Sequence, residues 1–399
     1  MDKNLSLQSG SIDVKNAILT CFDFEEDLLK SLFEHKVHVT VFEDKVKSFL
    51  DPSQSVFKEE KCYNKVNMTR FNKDQVPYAS FHSKLILFEF DDRLRVIVSS
   101  ANLTAISWTD LSQVIWIQDF YPKKSSKRAP NEFEEDLTSF LQNCIPSKLR
   151  ERGTQVFQKP IDLSFYDFSS AQVYLLASVN GRYPSENQAN GFKRFAQLRT
   201  RHYPTFKFSD KAKIWVQASS IGKIWPRYLQ QFYFEITGVL ISQERINERF
   251  GFIYPTEKNV RQSHRGIHKA ECLHMKSTTW GQSHFPRSSF YRMEGKSEEF
   301  SGCISHSKMI IVTSDYSGSI DDQTVIYFGS HNLSTSAWGR EEKGGTQIAI
   351  ANWELGVVFG AAHESGQQKR EIVESLNIKF PPVKYQFGDV PYFADIEYK

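Results

Sequence analysis

Phe81-His82-Ser83-Lys84-Leu85-Ile86-Leu87-Phe88 and Ser305-His306-Ser307-Lys308-Met309-Ile310-Ile311-Val312 are two copies of one pattern. In each, His-Ser-Lys opens an apolar run of strand length. A second apolar strand follows, ending in Ser99-Ser100-Ala101-Asn102-Leu103-Thr104 in the first copy and Gly329-Ser330-His331-Asn332-Leu333-Ser334 in the second. Trp108 and Trp338 come next. His to Asn spans 20 residues in one copy and 26 in the other, and the loop 314–323 absorbs the difference. Two copies of so long a unit mean a duplicated chain with similar halves facing each other. The halves are placed at 1–165 and 166–399.

Outward from these units, strand-like runs alternate with helical patterns. Residues 16–22 read as a strand, 25–33 as an amphipathic helix and 37–42 as a strand. Strands are also read at 84–90, 95–99 and 113–118, and a helix at 132–144. A second series starts near Val173 and Lys213. Strands between helices predict an α/β layered fold. The polar, His-rich stretch 261–294 reads as an insertion or loop.

The pattern dictates a chemistry. Side chains alternate along a strand, so H-x-K puts imidazole and ammonium on one face. With an Asn amide beside them they suit a tetrahedral oxyanion: Lys and Asn donate to phosphoryl oxygens, and His attacks phosphorus or moves a proton. Doubling gives His82, Lys84 and Asn102 with His306, Lys308 and Asn332 around one phosphate. One His then serves as nucleophile and the other as proton donor. The two lysines supply the positive charge, so no metal or other cofactor is called for. H-x-K alone is uninformative: a third copy, His274-Met275-Lys276, has no strand and no Asn behind it.

These residues resemble the phospholipase D superfamily, whose halves carry H-x-K-x4-D and then G-S-x-N. The Asp position holds Glu89 in the first copy and Thr313 in the second. That departure argues against ordinary phospholipases and bacterial nucleases and fits the tyrosyl-DNA phosphodiesterase 1 branch. Further matches to that branch are Asn352-Trp353-Glu354-Leu355-Gly356-Val357, Ile253-Tyr254-Pro255 with Asn259-Val260-Arg261, and Gln217-Ala218-Ser219-Ser220-Ile221-Gly222. The chain reads as close to a bare catalytic core, without the extension that often precedes it in the family.

The resemblance implies two α-β-α sandwich halves with pseudo-two-fold symmetry and the site at their interface. It implies that His82 attacks a 3′-phosphotyrosyl phosphorus and His306 protonates the leaving phenolate, then activates water. Gln113 and Glu354 match residues that orient the two imidazoles; Gln347 is a competing match for Glu354. Ser219 and Ser220 match contacts to backbone phosphates, and hydroxyls suit that role. Tyr78 and Phe81 stand where the family has a base-stacking aromatic. The implied partner is DNA, a single-stranded or duplex 3′ end carrying a tyrosine or peptide left by topoisomerase I. The protein is expected to be a monomer. Near the C-terminus Pro391-Tyr392-Phe393-Ala394-Asp395 departs from a Trp-rich family segment. The other reading is a phospholipase or endonuclease of the same superfamily.

Composition is consistent with this. With 40% apolar and 24% charged residues the chain builds a real core, which excludes a mainly disordered protein. A formal charge of +3 excludes a histone-like polycation and leaves room for a local basic groove. Five scattered cysteines without CxxC suggest neither a disulfide scaffold nor a zinc ribbon. His264, His268, Cys272 and His274 are the one zinc-like grouping, with a spacing that matches no standard site. No amphipathic or long apolar membrane segment stands out. Asn102-Leu103-Thr104 and Asn332-Leu333-Ser334 are formal N-glycosylation acceptors that a secreted form would expose to modification. An intracellular protein is expected, in the nucleus, with the cytoplasm and mitochondrion as further compartments and the basic run 122–131 as a weak import signal.

Overall fold

The computed structural model describes residues 14–33, 37–44, 57–59, 63–68, 76–77, 79–124, 129–145, 149, 153, 155–157, 159–187, 189–202, 207–296, 302–360 and 365–398. Tyr78, Cys62 and residues 125–128 of the basic run lie outside them. So does 297–301, just before the second H-S-K.

In the first half the strands are β1 (Asn16–Cys21), β2 (His38–Glu43), β3 (Phe57–Glu59), β4 (Tyr63–Asn67), β5 (Leu85–Glu89), β6 (Leu94–Ser99), β7 (Leu111–Ser112) and β8 (Ile115–Phe120). In the second they are β9 (Tyr174–Ser178), β10 (Gly181–Pro184), β11 (Lys213–Gln217), β12 (Phe250–Tyr254), β13 (Phe290–Arg292), β14 (Ile304–Ser305), β15 (Met309–Thr313), β16 (Val325–Gly329), β17 (Arg340–Glu342), β18 (Gln347–Ile350) and β19 (Glu354–Phe359). Two seven-stranded sheets result, ordered β3-β4-β2-β1-β5-β6-β8 and β13-β12-β11-β15-β16-β19-β9.

The duplication is explicit in the pairing. β1 runs parallel to β2 and antiparallel to β5, and β5-β6-β8 continue antiparallel. In the same way β11 runs parallel to β12 and antiparallel to β15, and β15-β16-β19 continue antiparallel. Each H-S-K therefore precedes the third of five equivalent strands, and each S-x-N follows the fourth.

Both faces of each sheet are covered, which is why these strands read as continuous apolar runs. Along β5, Leu85 and Leu87 enter one cluster while Ile86 and Phe88 enter another. The first cluster joins the halves: it takes Leu85, Val96 and Phe120 from one sheet and Met309, Ile311, Phe328 and Leu355 from the other. Helix Glu132–Cys144 adds Phe133, Leu137 and Phe140 to it. Helices Phe192–Arg201 and Pro226–Thr237 cover the outer face of the second sheet.

The expected loop 261–294 is not one. Ile267, Ala270, Leu273, Met275, Phe285 and Phe290 are all at most 5% exposed and belong to the second-half core. The apolar residues are single and spaced, so the stretch looks polar by composition while each of them points inward. Lys123 of the basic run is taken up by an ion pair with the buried Glu134.

Candidate active site

The histidine of each H-S-K unit is fixed by the other half of the chain. The His82 amide donates to the Trp353 carbonyl at 2.9 Å, and Trp353 in turn donates to Ser80. The next side chain, Glu354, meets His82 Nδ1 at 2.8 Å. Symmetrically, β14 pairs with β7, the His306 amide donates to Ser112 at 2.8 Å, and the next side chain, Gln113, lies 3.3 Å from His306 Nδ1. Exchange of orienting residues across the interface places both imidazoles on one site.

The second copy of the motif repeats the first in detail. Lys84 Nζ donates to the His82 carbonyl at 2.6 Å, and Lys308 Nζ to the His306 carbonyl at 2.5 Å. Ser100 of the first S-x-N donates to Gln113 Oε1 at 2.6 Å; Ser330 of the second donates to Glu354 Oε2 at 2.5 Å. Asn352 adds a 3.0 Å bond to the other carboxylate oxygen. Asn332 Oδ1 accepts from the Ser220 amide at 3.0 Å and the Ser219 hydroxyl at 3.3 Å, which leaves its NH2 to face a ligand. Asn102 Oδ1 is buried and has no hydrogen-bond partner among the described residues. Buried polar atoms are rarely left so.

These bonds set the tautomers. A carboxylate and a Ser-bound amide oxygen only accept, so Nδ1 of each imidazole carries the proton, which leaves the lone pair on Nε2. Burial, with the neighbouring lysines, pushes both histidines down, His82 to about 4 and His306 well below its ordinary value. Burial also lowers Lys84 to about 8 and holds Lys308 well below its ordinary value. Burial would raise Glu354, but the hydrogen bond from His82 and the nearby Lys84 charge act against it and hold the carboxyl at about 2. The site therefore holds an ionised Glu354, two imidazoles that burial keeps neutral, and two lysines crowded together.

Other expected residues fall differently. Gln347 lies on β18 with its amide on Glu342, away from both imidazoles. Phe81 is 1% exposed, packed on Phe42 and Trp353, so it offers no stacking face; its place directly between paired backbones forces it inward. Glu89 and Thr313 sit at the far ends of β5 and β15, bonded to Tyr166 and Trp215. The four zinc-like residues form no metal-binding group among the described residues.

Sequence reasoning missed Phe22. Its ring lies 5.3 Å from that of His82 and 5.8 Å from Lys84 Nζ, half-buried at the mouth of the site. The available signal was an aromatic at the end of β1, the strand next to β5. It also missed the floor below Glu354. There Gly356 is required because a Cβ would come within 2.2 Å of the Tyr327 ring. Tyr327 in turn bonds His331.

The family profile described as tyrosyl-DNA phosphodiesterase matches residues 6–391. Tyrosyl-DNA phosphodiesterase 1 of Drosophila melanogaster is 26% identical over 339 residues, 81% of this chain and 57% of that protein. The Arabidopsis thaliana protein of the same name is 26% identical over 301 residues, 71% of this chain and 47% of that one. The chain thus spans about half the length of these relatives. The crystal structure of yeast tyrosyl-DNA phosphodiesterase superposes with a TM-score of 0.69 at 18% identity, covering 96% of this chain and 94% of that one, and shares the phospholipase D-like fold. The chain belongs to the tyrosyl-DNA phosphodiesterase family.

Proposed function

We propose that this chain hydrolyses 3′-phosphotyrosyl and related 3′-end adducts on DNA, leaving a 3′-phosphate. The observation that carries the reading is the unequal pair of orienters, a buried carboxylate on His82 and an amide on His306. Attack by His82 Nε2 on phosphorus makes the ring cationic, and Glu354 neutralises that charge. As the P–N bond forms, the P–O bond to tyrosine breaks and His306 gives its proton to the phenolate. His306, now neutral, takes a proton from water, whose oxygen attacks phosphorus and breaks the P–N bond. Lys84, Lys308, Asn102 and Asn332 hold the non-bridging oxygens.

His306 must be protonated for the first step, although burial and Lys308 keep it neutral. The substrate resolves this: a phosphodiester anion beside the two imidazoles raises the His306 pKa. The reading makes the DNA adduct of a stalled topoisomerase I the natural substrate, and the nucleus the compartment. The decisive test is cleavage of a single-stranded oligonucleotide bearing 3′-phosphotyrosine in excess EDTA. Release of a 3′-phosphate end is the expected result. No turnover at high enzyme concentration overturns the reading in favour of a lipid or internal phosphodiester.

A further inference from the structure

The third H-x-K, His274-Met275-Lys276, lacks the strand pair and Asn of the other two, yet it lies at the edge of the same site. The His274 amide donates to the Ser219 carbonyl at 2.8 Å, and the Ile221 amide donates to the His274 carbonyl at 2.9 Å. This makes Ser220 and His274 partners in a parallel bridge, while Ile221 pairs with Leu333 on the other side. Residues in register on neighbouring strands project to the same face, and successive residues to opposite faces. Ile221 and Leu333 point into the core, as do Leu273 and Met275, all at most 3% exposed. His274 and Lys276 are exposed, and Ser220 is half-buried. Asn332 caps the Ser220 amide. A polar row therefore runs outward from the reaction centre: Asn332, Ser220, His274, then Lys276.

We propose that His274 is a strand-binding residue that hydrogen-bonds a phosphate of the polynucleotide upstream of the scissile linkage, beside Ser220. The proposal rests on the reading that the substrate is a nucleic-acid 3′ end. The row begins at an Asn that holds the scissile phosphate and is two strand spacings deep, about 10 Å, so its outer end is reached by the substrate's continuation and not by the reacting group. Its donors, an imidazole and an ammonium, fit a phosphodiester chain better than a peptide. The Lys308 charge acts on the His274 ring, so the ring lies in the field of the site. The segment was legible as a motif and was discounted because its neighbours in the sequence are wrong. Its partner strand comes from 53 to 55 residues earlier in the chain.

The test compares a 12-mer ending in 3′-phosphate with a deoxynucleoside 3′-phosphate, which has no upstream phosphate, using His274→Ala and His274→Gln. Binding by fluorescence anisotropy should weaken about tenfold for the 12-mer in His274→Ala, recover in His274→Gln, which keeps a donor, and stay unchanged for the mononucleotide. In turnover of a 3′-phosphotyrosyl 12-mer the same change should appear in KM with kcat held. Unchanged 12-mer affinity, equal loss on both ligands, or a loss that tracks the size of the peptide adduct overturns the proposal. Because binding is read without turnover, an inactive wild type would sink the assigned reaction and leave the role of His274 to be decided by the anisotropy.

Discussion

His82 and Glu354 are separated by 272 residues and meet at 2.8 Å, with the carboxylate fully buried and bonded also to Ser330 and Asn352. Neither half contains the complete pair: the imidazole belongs to one copy of the repeat and its carboxylate to the other. The same exchange joins His306 to Gln113. Duplication alone would give two equal histidines. The Glu–Gln difference makes them unequal.

That difference is open to direct test. Glu354→Gln keeps the shape and the acceptor for His82 but removes the charge that balances the phosphohistidine cation. A fall in kcat of about 10²- to 10⁴-fold is expected, the size of an acid–base or electrostatic contribution. KM and thermal midpoint should change little. A kcat within twofold of wild type would remove Glu354 from the mechanism.

The two histidines should also fail differently. His82→Ala removes the attacking nitrogen and should abolish covalent capture of DNA. His306→Ala removes the group that activates water, so the phosphohistidine adduct should accumulate and be visible as a slow band on denaturing gels. Equal capture by both variants would reverse or dissolve the role assignment.

Substrate binding should take up a proton. Burial and Lys308 hold His306 well below its ordinary value, and the phosphate anion acts in the opposite direction. Titrating His82→Ala with uncleaved substrate at pH 7 in buffers of different ionisation enthalpy should give apparent enthalpies that differ in the sense of proton uptake. Buffer-independent enthalpies would mean that His306 is not charged by the substrate.

Much of this was legible in the sequence because strands buried on both faces are written as unbroken apolar runs, as in Leu85–Glu89, and because the duplicated motif gives its own control. The two His-Ser-Lys units lie together: His82 and Lys84 act electrostatically on His306, and Lys84 on Lys308. What the sequence hid are contacts made by register. Phe81 looked like a stacking platform and is core, because the pairing with Trp353 turns it inward. His274 looked like a stray tripeptide in a loop and is bridged to Ser220. Phe22 had no motif at all and was placed by the neighbour of its strand. Register depends on which segments pair, and spacing along one chain does not report it.

The buried imidazoles should also govern acid stability. His331 is 2% exposed beneath Glu354, held by Ser178 and Tyr327, and burial lowers it to about 3. His82 is lowered to about 4. A His whose folded pKa is depressed stabilises the fold fully above its unfolded value of about 6.5 and loses that contribution as pH falls toward the folded value, since the unfolded chain binds more protons. Asp136 works the other way: burial raises it to about 6, so acidification between that value and its ordinary range favours the fold. Three depressed imidazoles, counting His306, outweigh one raised carboxyl, and the fold should lose stability between pH 7 and pH 5. Urea unfolding should show a lower midpoint at pH 5, and His331→Gln, which removes one titrating group, should narrow the gap. A midpoint equal or higher at pH 5 would show that these rings are not buried neutral.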